Sequence, residues 1–190
     1  MLDAYIYAGL RSPIGRHAGQ LAAVRPDDLV AMVLRETLAR SPFKGEDIED
    51  VILGCAAQAG EDSRNVARHA ALLAGLPPTV PGQTVNRLCG SGLAAVLDGA
   101  RAVTSGEGDL YLVGGVESMS RAPFVVAKAE APYSREFKVF DTTIGARFPN
   151  PRIVDAFGGH SMPETGDAVA AELGISREAA DRFAAASQAK

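Results

Sequence analysis

Apolar and polar positions in the first part of the chain switch repeatedly between two spacings, and each switch marks an element. The apolar stretch 4–10 (AYIYAGL) predicts a strand, and Asp27 or Asp28 can cap a helix running to about Arg40. Residues 51–58 (VILGCAAQ) predict a second strand. Residues 65–74 (NVARHAALLA) predict a helix stopped by Gly75, with Pro77 and Pro78 beyond it. A short third strand at 84–88, a third helix at 90–104 and a fourth strand at 110–116 complete the series. Strands separated by helical stretches predict an α/β layered fold with a largely parallel central sheet.

The third helix has no polar face over its first turns: Gly90, Gly92, Leu93, Ala94, Ala95, Val96 and Leu97 are all small or apolar. Such a helix is expected to be covered by protein on every side. After Met119 the texture changes. Residues 120–163 show no sustained period but many Pro, Gly and aromatic positions, which predicts one long functional loop. Helical pattern resumes at about 165–173, breaks at Gly174, and starts again behind Ser176 as a last helix from Arg177 onward.

Composition narrows the class. The 190 residues are 47% hydrophobic and 22% charged with a net charge of −4, the profile of a globular chain with a proper core. No basic block or stripe interleaved with aromatics supports nucleic-acid binding, and no apolar run is long enough to span a bilayer. The first residues lack the regions of a secretory leader. The two cysteines, Cys55 and Cys89, are expected to be reduced and the compartment cytoplasmic. Three histidines without HExxH or CxxC spacing predict no metal site and no permanently bound cofactor.

The chemistry concentrates at Thr84-Val85-Asn86-Arg87-Leu88-Cys89-Gly90-Ser91-Gly92-Leu93. A strand feeds a tight turn, the turn holds Cys89, and a helix starts at once. Unpaired N–H groups and the positive end of a helix dipole favour a thiolate over a thiol. Gly90 and Gly92 leave room for a carbonyl to approach the backbone, and N–H groups of the turn can stabilise an oxyanion. Burial of the sulfur would oppose ionisation, so a base must be supplied. Taken alone, these features equally describe a small apolar cysteine packed at a helix start. A serine nucleophile at Ser91 fits less well, because a G-x-S-x-G elbow needs glycine where Cys89 stands. A redox role would need a resolving thiol, for which Cys55 is the one candidate. Cys55 itself reads as a packed core cysteine.

The stretch TVNRLCGSGLAAV resembles the nucleophile motif of thiolases, the enzymes that make or cleave 3-ketoacyl-CoA. In order along the chain, RSPIGRHAGQL, DVILGCAAQAGED, NVARHAALLAGLP, VGGVESMSRAPF and SMPETGDAVAAELGISREAADRFAAASQ resemble the same family. The resemblance implies an α-β-α layered domain with a mostly parallel mixed sheet over 1–119. Part of a substrate-covering loop domain would follow over 120–190. It implies acyl transfer between CoA thioesters, with coenzyme A as a substrate, and Cys89 as the acylated nucleophile whose own N–H is one oxyanion donor. Met162 and Ile153 resemble loop residues lining the pantetheine and acyl pocket, with Ser161 beside them. The resemblance also implies a homo-oligomer, dimer or tetramer, with the edge at 110–118 as the dimer contact.

Two departures stand out. Many relatives carry His directly before the loop Met, whereas Ser161 stands there and His160 lies one place earlier, so no CoA-binding histidine is carried over. The family's second half, which supplies an activating histidine, an acid/base cysteine and an asparagine for a bound water, has no counterpart among these residues and is expected to be required for activity. The loop FDTTIGARFPNPRIVDAFGGHSMPETGD is most similar to that of thiolases acting on β-ketoadipyl-CoA. The alternative is a fragment or assembly module that keeps the fold without turnover.

Overall fold

A computed structural model describes residues 2–145 and 147–190. Its centre is a three-stranded sheet of β1 (Asp50–Gly54), β2 (Gly82–Val85) and β3 (Tyr111–Gly115), in the order β2-β1-β3. All pairings are parallel, with Ile52 of β1 opposite Gln83 on one side and Val113 on the other. The mixed sheet implied by the resemblance is thus wholly parallel here.

Alternation along β1 sorts the two faces. Val51, Leu53 and Cys55 belong to the main core with residues of α1 (Pro26–Ala39) and α2 (Val66–Leu73). Ile52 and Gly54 point the other way, toward α3 (Ser91–Ser105), which rests on all three strands. The result is the expected α-β-α layering, with β1 buried on both faces as a central parallel strand should be.

Local chemistry explains most of the helix ends. Asn65 caps α2 by accepting from the Arg68 N–H at 3.1 Å, and Gly75 turns the chain away at φ 88°. The Asn65 side chain also donates to the Gly82 carbonyl at 2.6 Å, which ties α2 to β2. The start of α1 departs from expectation. Pro26 occupies the first helical position behind Arg25, and neither Asp27 nor Asp28 is the cap. Asp27 is instead almost buried, paired with Arg25 through contacts of 3.0 and 2.8 Å.

Other expectations are corrected. The stretch 4–10 is not a strand: Tyr5 and Ile6 are 93% and 83% exposed, and the segment is held by an Asp3 N–H to Thr104 hydroxyl bond and a Tyr7–Phe43 ring contact. An apolar stretch becomes a strand only where a neighbour completes its ladder, and none of the described strands does so. Helix α3 is not covered all round. Ser91, Ala94, Ala95 and Gly99 are buried, whereas Leu93 is 66% exposed, because the described chain supplies a sheet beneath the helix and no layer above it.

Residues 120–163 are not one loop. After a 3₁₀ turn at Met119–Arg121, β4 (Phe124–Val126) pairs antiparallel with β5 (Val139–Asp141), and α4 spans Pro151–Phe157. Strands of three residues are too short to display a period in sequence. Helix α5 (Met162–Leu173) starts earlier than expected, and α6 covers Arg177–Ala189 behind its Ser176 cap. The described chain forms two compact units that divide between Ile144 and Gly145. The β4–β5 ribbon belongs to the first, where the buried Thr142 hydroxyl donates to the Pro123 carbonyl at 2.6 Å. Among the described residues no helix is long and apolar enough to cross a membrane.

The sheet and α3 meet where the strand can carry no side chain. A Cβ on Gly54 would overlap the backbone of Ser91 and Gly92. A Cβ on Gly92 would meet nothing. Gly54→Ala is therefore expected to cost about 1–3 kcal/mol by overpacking. Gly92→Ala should leave stability within about 1 kcal/mol of the parent. Urea denaturation of the two variants side by side checks this, and equal midpoints would show that strand and helix can separate freely.

Candidate active site

The chain leaves β2 at Val85 and enters α3 at Ser91, so Asn86 to Gly90 must reverse direction in very little backbone. Leu88 carries the turn in the left-handed region at φ 48°, uncommon for a leucine and sustained only when neighbours hold it. Three side-chain bonds do so. The Asn86 carboxamide oxygen accepts from the Leu88 N–H at 2.9 Å, the Ser91 hydroxyl accepts from the Arg87 N–H at 2.8 Å, and that hydroxyl donates to the Leu88 carbonyl at 2.6 Å. Backbone bonds from Gly90 to Arg87 and from Ser91 to Leu88, each 3.0 Å, close the turn.

Cys89 stands at the tip of this turn as a free thiol and is exposed, not buried as the apolar texture of α3 led one to expect. Its neighbour Leu88 is 73% exposed. The first turn of α3 directly behind it presents N–H groups that the helix cannot satisfy itself. Ser91 lies inside the turn with its hydroxyl engaged at both ends, which leaves it a clasp and not a nucleophile.

Asn86 and Glu117 were not singled out from sequence. Asn86 bonds the N–H two residues on, the Asx pattern of turn-forming asparagines, and that local rule marks it. Its Nδ2 also donates to the Ala56 carbonyl at 3.2 Å, just past β1. Glu117 has no local signal, because its partners lie about sixty positions away: its carboxylate accepts from the Ala56 and Ala57 N–H groups at 2.9 and 3.0 Å.

The other thiol has a different environment. Cys55 is buried, with its sulfur 3.8 Å from an Asp62 oxygen and 3.9 Å from a Glu117 oxygen. Burial pushes this thiol up to about 12, and the charges of Glu117 and Asp62 add to the effect. Three metal-ligand types gather here within 4.8 Å, a grouping that no sequence spacing announced. Both carboxylates are already committed to backbone N–H groups, Asp62 through Gly60 at 3.0 Å. The protonated thiol is a weak donor to both acids, so the cluster reads as a hydrogen-bonded core.

Met162, Ile153 and Ser161 fall in the second unit. Ser161 caps α5 in a reciprocal box, its hydroxyl accepting from the Glu164 N–H at 3.5 Å while Glu164 accepts from the Ser161 N–H at 2.7 Å. Met162 is the first residue of α5 and Ile153 lies within α4, so neither is a loop residue. Asn150 with Pro151, and Ser161 with Pro163, start helices where the sequence read as loop. Both apolar side chains are exposed, Ile153 at 57% and Met162 at 77%.

Residues 4–190 match the family description "Thiolase, N-terminal domain". The chain belongs to the thiolase family. It is 60% identical to the 3-oxoadipyl-CoA/3-oxo-5,6-dehydrosuberyl-CoA thiolase of Escherichia coli K12 over 99% of its length, and 53% identical to the beta-ketoadipyl-CoA thiolase of Pseudomonas putida over all of it. These matches cover 47% and 48% of the two relatives. The chain thus spans about half the length of the curated relatives it matches. A crystal structure of the Bacillus anthracis acetyl-CoA acetyltransferase superposes with a TM-score of 0.77 at 31% identity, covering 89% of this chain and 41% of that one. The family resemblance read along the chain agrees with this match, and its β-ketoadipyl texture agrees with the names of these relatives.

The Cys55 environment of this thiolase domain has a measurable consequence. A thiol ionises near 9.0 when unperturbed, and in the fold Cys55 stays protonated to about 12. Its folded value is raised, so its stabilising contribution is complete below the unfolded value and is lost as pH rises through that window. Urea midpoints measured across it should fall more steeply for the parent than for Cys55→Ala. Parallel slopes would mean that the thiol ionises alike in both states.

Proposed function

We propose that this chain carries the nucleophile of a β-ketoadipyl-CoA-type thiolase, an acyltransferase that moves an acyl group reversibly between CoA thioesters. The observation that supports it most is the exposed Cys89 thiol, on a clasped turn at the start of α3, within a thiolase N-terminal domain. In the degradative direction the Cys89 sulfur attacks the C3 carbonyl of a 3-ketoacyl-CoA and the C2–C3 bond breaks. The departing acetyl-CoA carbanion takes a proton, and the acyl group remains on Cys89 as a thioester. Coenzyme A then attacks that thioester, releasing acyl-CoA and restoring the thiol. The names of the relatives favour a dicarboxylic substrate of the 3-oxoadipyl class, with succinyl-CoA and acetyl-CoA as products.

The chain's own contributions are the nucleophile, the Cys89 N–H as one oxyanion donor, and Met162, Ile153 and Ser161 as substrate-binding residues. Ser161 would do this mainly by starting α5, since its hydroxyl is engaged in the cap. Coenzyme A is a substrate in this scheme and not a resident cofactor. The protein would act in the cytoplasm as a homo-oligomer, with the free edge of β3 as the contact between copies.

One observation favours the second reading, a fold-retaining module without turnover. Among the described residues no acid or base hydrogen-bonds to the Cys89 sulfur, so the described geometry supplies no partner for proton transfer to and from it. Intact mass after incubation with 3-oxoadipyl-CoA, with Cys89→Ala as the control, separates the two. A gain equal to a succinyl group that disappears in the control is the expected outcome. Unchanged mass, with Cys89 still open to alkylation, would sink the acyl-transfer reading for this chain and leave the module.

A further inference from the structure

Two backbone features hold the cysteine turn against the sheet, and one side chain joins them. The turn after β1 is gripped from below by Glu117, whose carboxylate oxygens take the Ala56 and Ala57 N–H groups. The cysteine turn after β2 contains Leu88 in the left-handed region. Asn86 spans both: Nδ2 donates to the Ala56 carbonyl at 3.2 Å, and Oδ1 accepts from the Leu88 N–H at 2.9 Å.

We propose that Asn86 is a positioning residue for Cys89, fixing the sulfur at the start of α3 by locking the Leu88 backbone to the sheet through Ala56 and, behind it, Glu117. The inference rests on Cys89 being the reactive group, and it adds what holds that group in place. The bonding pattern favours this over a role in general stability. A left-handed leucine is strained unless something compensates, and Asn86 supplies an acceptor at that very residue. Asn86 is itself exposed, so its two bonds lie at the rim of the molecule and not in the core. The contrast with Asn65 is informative. That residue has the same two-ended use of its carboxamide, but it caps α2 and ties it to β2, with no left-handed residue among the partners it holds. Without Asn86, Leu88 can relax toward a negative φ, and the sulfur then leaves its fixed place between Leu88 and the start of α3.

The chain contains its own control for unfolding. Cys55 is buried and Cys89 exposed, so alkylation by iodoacetamide, resolved by peptide mass, reports both the turn and the core in one experiment. In the parent, Cys89 is alkylated and Cys55 is protected. In Asn86→Ala, Cys89 alkylation is expected to slow by about threefold to tenfold, the size of losing the hydrogen bond that fixes the turn, with Cys55 still protected. Asn86→Asp keeps the acceptor for Leu88 and sets an oxygen against the Ala56 carbonyl, so its rate should fall between the two.

A Cys89 rate in Asn86→Ala equal to the parent, with Cys55 protected, overturns the proposal. So does Cys55 becoming reactive in both variants, which would make Asn86 a folding residue only. If Asn86→Ala alone exposes Cys55, Asn86→Asp decides: a rate below the parent upholds the proposal and an equal rate overturns it. Because alkylation needs no CoA thioester, Cys89 rates that fall from parent to Asn86→Asp to Asn86→Ala, in a parent that is never acylated, would defeat the acyl-transfer reading while upholding the role of Asn86.

Discussion

Everything at the cysteine turn depends on how closely β1 and the first turn of α3 approach each other. At Gly54 there is no room for a single carbon between strand and helix, and Gly115 on β3 faces the same crossing, where a Cβ would sit 3.0 Å from the Gly54 carbonyl and 3.3 Å from the Gly92 Cα. Three backbones therefore converge with no side chains between them. This contact sets the height of α3 above the sheet, and with it the distance the chain must cover from Val85 to Ser91. A turn that tight forces one residue into the left-handed region, and Leu88 is that residue. Exposure of Cys89 at the tip follows from the same geometry.

The two cysteines show how far environment divides identical side chains. Cys55 sits on the face of β1 that packs against α1 and α2, beside two carboxylates, where an anionic sulfur would be both desolvated and repelled. Cys89 sits outside the core at a helix start. Glu117 connects the two regions, because one carboxylate touches the Cys55 sulfur and also holds the N–H groups of the turn that Asn86 reaches. A group that makes Cys55 inert thus helps frame the turn of the other thiol. Nearby, Glu61 joins Arg25 at the start of α1 to Arg121 in the 3₁₀ turn after β3, which ties the same end of the unit together with charge.

Legibility in the sequence varied with the range of the interaction that builds each feature. Helix α2 was readable from Asn65 to Gly75, because its cap and its stop are both local. The cysteine motif was readable because strand, turn and helix are contiguous around it. The stretch 4–10 has the apolar pattern of a strand but is not one, because a strand also requires a neighbour's ladder. The all-round apolar texture of α3 predicts complete burial, whereas Leu93 stands open on the face away from the sheet. The β4–β5 ribbon went unseen, since its strands are three residues each and its pairing spans 124 to 141.

By itself, then, the sequence determined the succession of elements, the layered α/β class and the place of Cys89 between a strand and a helix. Those properties are encoded in spacing, capping residues and glycines that act over a few positions. Only the tertiary structure decided that Cys89 is exposed while Cys55 is held protonated, that Ser91 is a clasp, and that Asn86 and Glu117 brace the turn. Each of those depends on backbone groups brought together from distant parts of the chain, such as Ala56 against Asn86 and Glu117 against Ala57. No periodicity records which distant carbonyl a side chain will meet, because that partner exists only once the sheet has put the two turns side by side.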